Sequence, residues 1–182
     1  MNDDDSMATF DASVVERPRG RPDFEFVAPG AGSRSVWIAV EPKAGSIWSG
    51  TFLAPDPGVR ALSVLLRTPT PTGLCVVERG TAFLGDVLDP PSFKVLPTKG
   101  PVVDAQSLLR YELLLLLTPW AITAIDRGGV RWTTNRIAID GLRIDSTEDG
   151  WAGGVADPED EDPREFRVNL STGQVVGGAG IA

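Results

Sequence analysis

Turn-forming residues interrupt this chain at short intervals. Of its 182 residues, 20 are glycine and 15 proline, close to a fifth where ordinary usage is roughly 12%. Between them lie short apolar segments with a period of two: Trp48, Gly50 and Phe52 share one face, and Ser49 and Thr51 take the other. A chain that turns this often has little room for long helices. The expectation is an all-β protein, a single antiparallel sandwich or partly open barrel of about ten strands over residues 31–182. Residues 1–30 hold seven acids together with Pro18, Pro22 and Pro29, so they read as a mobile acidic tail.

Strands are expected at 36–40, 47–52, 60–67, 74–78, 81–88, 111–117, 120–125, 130–134, 151–156 and 166–170. Residues 89–101 carry four prolines and read as an extended crossing or an edge. Asp104 is placed to cap a short helix through Leu109. Asp140-Gly141 separates Ile137-Ala-Ile139 from Leu142-Arg-Ile144, and the parity of the apolar residues switches across it. A two-residue type I′ hairpin produces that switch, and so does a bulge.

The composition removes several chemistries. There is no histidine, so triads of the Ser/His/Asp kind and imidazole acid/base steps are out. The single cysteine, Cys75, cannot form an intramolecular disulfide or supply a thiolate cluster, and it reads as a small core residue. No cofactor and no metal centre is expected. Net charge is −8 with a pI near 4.5, a field that repels phosphate backbones and anionic lipid, so nucleic acid and membrane are poor partners. The most apolar stretch, from Leu113, is broken at Thr118-Pro119, short of the roughly 20 apolar residues of a membrane span. The first residues lack an apolar signal-peptide core, and the expected compartment is the cytoplasm.

Three sets of residues stand out as sites. Asp145 to Glu165 holds nine carboxylates, of which Asp157, Glu159, Asp160, Glu161 and Asp162 are close enough in sequence to converge on calcium. Their spacing lacks the EF-hand alternation, and a solvated acidic loop or one that meets a basic partner is the simpler reading. Among the five tryptophans, Trp48 and Trp132 alternate as core positions do, whereas Trp120 after Pro119 and Trp151 after Asp149-Gly150 begin strands near turns and are the residues expected to be exposed for binding. A carboxylate-dependent glycan hydrolase would need two acids several ångströms apart, for which Glu78, Asp86 and Glu112 are available.

Two pairs of segments look alike: Trp48-Ser-Gly50 with Trp151-Ala-Gly153, and Val77-Glu-Arg-Gly80 with Ile125-Asp-Arg-Gly128. Ala124-Ile-Asp-Arg-Gly-Gly-Val-Arg-Trp132 resembles the Ala-x-Asp-x-x-Gly-x-x-Trp pattern of quinoprotein-type propeller blades, in one copy. A closed propeller takes at least four blades of roughly 40 residues, more than about 150 residues supply. The stretch from Trp120 to Gly178 resembles a group of uncharacterised bacterial proteins that share a turn–Trp–Asp-Gly-Leu-Arg–Asp-Pro–Leu-x-Thr-Gly succession; that resemblance implies a β fold and no chemistry. The expected function is a non-enzymatic domain that binds another protein or associates with itself, with a glycan hydrolase or a carbohydrate-binding module as alternatives.

Overall fold

The computed structural model describes residues 9–17 and 20–179. They form sixteen strands and one 3₁₀ turn, in four four-stranded sheets, and the chain divides after Pro97 into two compact units. The all-β class holds. The single ten-stranded sandwich does not, because several segments without apolar alternation also join sheets and two separate cores form.

In the first unit, β1 (Phe10–Val14), β2 (Phe24–Val27), β3 (Ser35–Pro42) and β4 (Trp48–Leu53) make one sheet in the order β1-β3-β4-β2. All its pairings are antiparallel except β2, which runs parallel to β4. Residues 10–14 and 24–27 were expected in the tail; residues 1–8 and 18–19 lie outside the described residues. Aromatic packing brings β2 in: the Phe26 ring lies 4.5 Å from Phe52 and 5.2 Å from Phe93. The Asp23 carboxylate then fixes the entry to β2 by accepting from the Ser49 amide at 2.7 Å and the Ser49 hydroxyl at 2.9 Å.

The second sheet of this unit is a meander of β5 (Val64–Arg67), β6 (Gly73–Glu78), β7 (Thr81–Asp86) and β8 (Asp89–Val95). β8 is an edge strand, as Pro90 and Pro91 require. Ile38, Val40, Trp48 and Phe52 meet Leu74, Val76, Phe83 and Phe93 in a shared core. The indole of Trp48 donates to the Val87 carbonyl at 2.9 Å, tying one sheet to a turn of the other and satisfying a donor that burial would otherwise orphan.

The second unit repeats the plan. β9 (Asp104–Leu108), β10 (Leu113–Leu117), β11 (Ile122–Asp126) and β12 (Gly129–Thr133) form one meander; β13 (Leu142–Glu148), β14 (Trp151–Ala156), β15 (Arg164–Asn169) and β16 (Val175–Gly177) form the other. The five leucines of β10 are buried on both faces, which explains why they read as a continuous apolar run. Leu115, Leu117, Ile122 and Trp132 pack against Ile144, Ala152, Phe166 and Val168. Trp132 donates to the Leu170 carbonyl at 3.0 Å, and Gly173 leaves room for its ring: a Cβ there would sit 2.8 Å from the indole.

Three local expectations are corrected. Asp104–Leu108 is a strand, with the 3₁₀ turn following at Leu109–Tyr111; its register is imposed by β10. Residues 137–139 are not a strand and Asp140-Gly141 is not a hairpin turn: Ile137 and Gly141 donate to the Trp120 and Pro119 carbonyls instead. Val130, Trp132 and Thr134, which strand alternation is expected to turn one way, do not share a face: the register shifts between Ala124 and Ile125 and leaves Val130 exposed while Trp132 and Thr134 are buried.

The blade-like segment 124–132 is the β11–β12 hairpin. Asp126 accepts from the Gly128 amide at 2.7 Å and Gly129 takes φ +107°, so the pattern encodes a capped turn followed by a buried indole. The four sheets span 44, 32, 30 and 36 residues from first to last strand, and residues 10–14 and 24–27 belong to the first of them.

Candidate binding groove

The outer face of the β13–β16 sheet carries the site. β13 and β14 pair with a shift between Ile144 and Ser146, so Asp145 is an extra, bulged residue. The bulge depends on glycine: a Cβ on Gly154 would run into the Arg143 carbonyl. Next to it, Gly153 pairs with Ser146 on one side and Arg167 on the other. Because it has no side chain, it forms the floor of a groove of about 470 Å³ between Trp151 and Val155.

Charge is placed around that floor by strand alternation. Glu148 pairs with Trp151 at one end, and Glu165 pairs with Val155 at the other. The two ends are four residues apart along β14, or about 13 Å at roughly 3.3 Å per residue. Asp145 binds Arg143 at 2.7 Å. Arg167 stands 5.4 Å from the centre of the Trp151 ring, a cation–π contact that steadies the indole. Among the described residues, the carboxylates of Glu148 and Glu165 make no ion pair and no hydrogen bond.

Of the residues singled out from sequence, Trp151 lines this groove, as do Asp145, Glu148 and Glu165 of the acidic stretch, whereas Trp120, Asp157, Glu159, Asp160 and Asp162 do not. Trp37, Trp48 and Trp132 are buried, while Trp120 and Trp151 are half-buried. Trp120 sits in the β10–β11 turn, closed on one side by Gly100, where a Cβ would lie 2.5 Å from the ring, and on another by Arg136 at 5.8 Å. Asp157 is 4% exposed, and its carboxylate accepts from the Ile139 and Asp140 amides at 2.8 and 2.6 Å. Glu159, Asp160 and Asp162 are exposed in the turn after it. Asp157 is therefore turned inward as a structural acceptor and away from its acidic neighbours, and among the described residues no group of three or more acids is arranged to hold a metal ion.

The three acids considered for hydrolysis do not converge. Glu78 and Asp86 stand at opposite ends of the β6–β7 hairpin, five residues or about 17 Å apart, beyond the roughly 5–9.5 Å that glycosidase pairs need. Burial pushes the Glu78 carboxyl up, against the opposing pull of Ser63 and Arg79. Asp86 accepts from Thr72 and from the Leu88 amide, each at 2.8 Å, so it caps a turn. Glu112 is exposed and paired with Arg127 at 2.5 Å. Cys75 is fully buried, with its thiol pushed up to about 12 by desolvation.

Reading by sequence missed Gly153, Ser146, Glu148 and Arg167 as parts of one surface. The signal was the Gly153-Gly154 pair inside an otherwise apolar strand, which marks a bulge or a close approach. No family model matches the chain, and no curated protein does. Among the described residues no helix is long and apolar enough to cross a membrane.

Proposed function

We propose that this chain is a protein-interaction domain and that the outer face of the β13–β16 sheet is its docking face. The groove floored by Gly153 is the observation that carries the reading. Its volume is within the range of small-molecule sites, but those are enclosed and mainly apolar with a few polar groups. This one lies open on a sheet face, where Trp151 and Arg167, residue types enriched at protein interfaces, are bordered by Asp145, Glu148 and Glu165 as a polar rim.

The competing readings have less support. A carbohydrate platform needs an open aromatic face, and both Trp120 and Trp151 carry an arginine against the ring. A hydrolase needs a carboxylate pair at the right spacing, which Glu78 and Asp86 do not provide.

The test is a photo-reactive side chain introduced at Ser146, inside the groove, and a second at Val59, exposed in the other unit. Irradiation in extracts of the source cells should give a defined adduct from position 146 only, lost on adding excess unmodified chain. An adduct of twice the chain mass would identify the occupant as a second copy. Equal labelling from both positions, or none from position 146, would remove the groove as a docking face.

A further inference from the structure

The chemistry of the groove identifies its occupant more closely. This step rests on the reading of the groove as a protein-docking face. Three carboxylates and one guanidinium line it. Asp145 is already paired with Arg143 and Arg167 is already held on Trp151, which leaves Glu148 and Glu165 as the two charges without a partner among the described residues. They stand at the two ends of the floor. Two uncompensated carboxylates on opposite sides of a half-wet concavity attract a cation at each end.

The shape of the floor sets the form of the occupant. An extended chain presents side chains to one face every second residue, about 6.6 Å apart, so residues i and i+4 are about 13 Å apart. Along β14 the Glu148 and Glu165 ends are the same distance apart, and the two acids stand one strand, about 4.8 Å, to either side of that line, within the reach of an arginine or lysine side chain. The missing side chain at Gly153 allows the residue between them to come close to the sheet. We infer that the groove takes an extended basic segment of a partner protein, with arginine or lysine at i and i+4 seated opposite Glu148 and Glu165 and a neutral residue at i+2, over Gly153 and beside Arg167.

The experiment uses the full chain and three synthetic heptapeptides followed by fluorescence anisotropy: one with arginine at positions 2 and 6, one with glutamate at those positions and one with glutamine there, threonine filling the rest. The basic peptide should bind at least tenfold more tightly than the other two, with affinity falling as salt rises. Glu148→Gln with Glu165→Gln should weaken it about tenfold or more. Removing three charges outside the groove, with Glu159→Gln, Asp160→Asn and Asp162→Asn, should weaken it no more than about threefold. Both sets change exposed residues, and thermal melts check that each still folds.

Equal losses from the two sets, or no preference for the basic peptide, would overturn the assignment of a basic occupant. If the neutral or acidic peptide binds instead and Gly153→Leu abolishes that binding, the groove stands and its charge preference is wrong. If Gly153→Leu changes binding of no peptide, the docking face itself falls.

Discussion

The Asp157 carboxylate accepts two consecutive backbone amides, those of Ile139 and Asp140, at 2.8 and 2.6 Å. The Asp157 amide in turn donates to the Gly141 carbonyl at 2.9 Å. This clasp holds the connection between β12 and β13 against the start of the acidic turn, and it replaces the hairpin that Asp140-Gly141 was expected to form. Asp157 sits at φ +53°, a conformation that aspartate and asparagine tolerate better than most residues.

Removing the acceptor leaves two partly buried amides without partners. Asp157→Ala should therefore cost about 2–3 kcal/mol, since each unsatisfied buried donor is worth roughly 1–3 kcal/mol. Asp157→Asn retains an oxygen and the backbone preference and should lose only about 1 kcal/mol, the charge assistance. Urea unfolding of the two variants measures the difference; equal losses would show that geometry at the clasp does not matter.

How much of this was legible in the sequence depends on whether a residue's role is local. The alternation Trp48, Gly50, Phe52 was readable and gives the inward face of β4, and the leucine run of β10 was readable as core. Phe24 and Phe26 alternate around Glu25 too, but prolines and acids surround them, and only the rings of Trp48 and Phe52 make them a strand. Asp104–Leu108 has no strand signal of its own and is a strand because β10 offers it partners. In the groove, Trp151 was legible as a tryptophan near a turn. Glu148, Ser146 and Arg167 were not, because they become neighbours only through a register that includes the bulge at Asp145. Asp157 was read with the acids beside it, whereas its amide partners lie 17 and 18 residues away.

The adjoining glycines of β14 should respond unequally to the same substitution. On Gly154 a methyl group meets the backbone carbonyl of Arg143, which cannot move without undoing the bulge. On Gly153 it meets the end of a flexible side chain, the Ser146 hydroxyl, at 2.9 Å. Gly154→Ala should cost about 2 kcal/mol or more, in the range of overpacked sites, and Gly153→Ala little. Thermal melts of both decide it; a mild effect at Gly154 would mean that the bulge is not where the register puts it.

Glu78 gives a pH signature. Burial raises its carboxyl above the ordinary value of 4.5, so the unfolded chain releases this proton more readily than the folded one. The stabilisation associated with the neutral acid is complete below about pH 4.5 and is lost as pH rises through the folded value. Glu78→Gln should therefore be close to the parent at pH 4 and more stable than it at pH 8, with the gap opening between. A gap that is constant with pH, measured by urea unfolding at both values, would contradict this.

Cys75 should be inert while the chain is folded. It is fully buried and its thiol is pushed up to about 12, so both access and thiolate are missing at neutral pH. A thiol reagent at pH 8 should label the native protein only at the rate of unfolding and label it at once in denaturant. Rapid labelling of the native chain would place Cys75 outside the core.

The most direct test of the docking face fills the groove from its floor. Gly153→Leu places a branched side chain between Trp151 and Val155, at a backbone position where a Cβ comes closest to the flexible Ser146 hydroxyl, at 2.9 Å. With whatever protein is captured through Ser146, isothermal titration should show tight binding to the parent chain and binding at least tenfold weaker to Gly153→Leu, at an unchanged melting temperature. Undiminished binding by a folded Gly153→Leu chain would contradict the account.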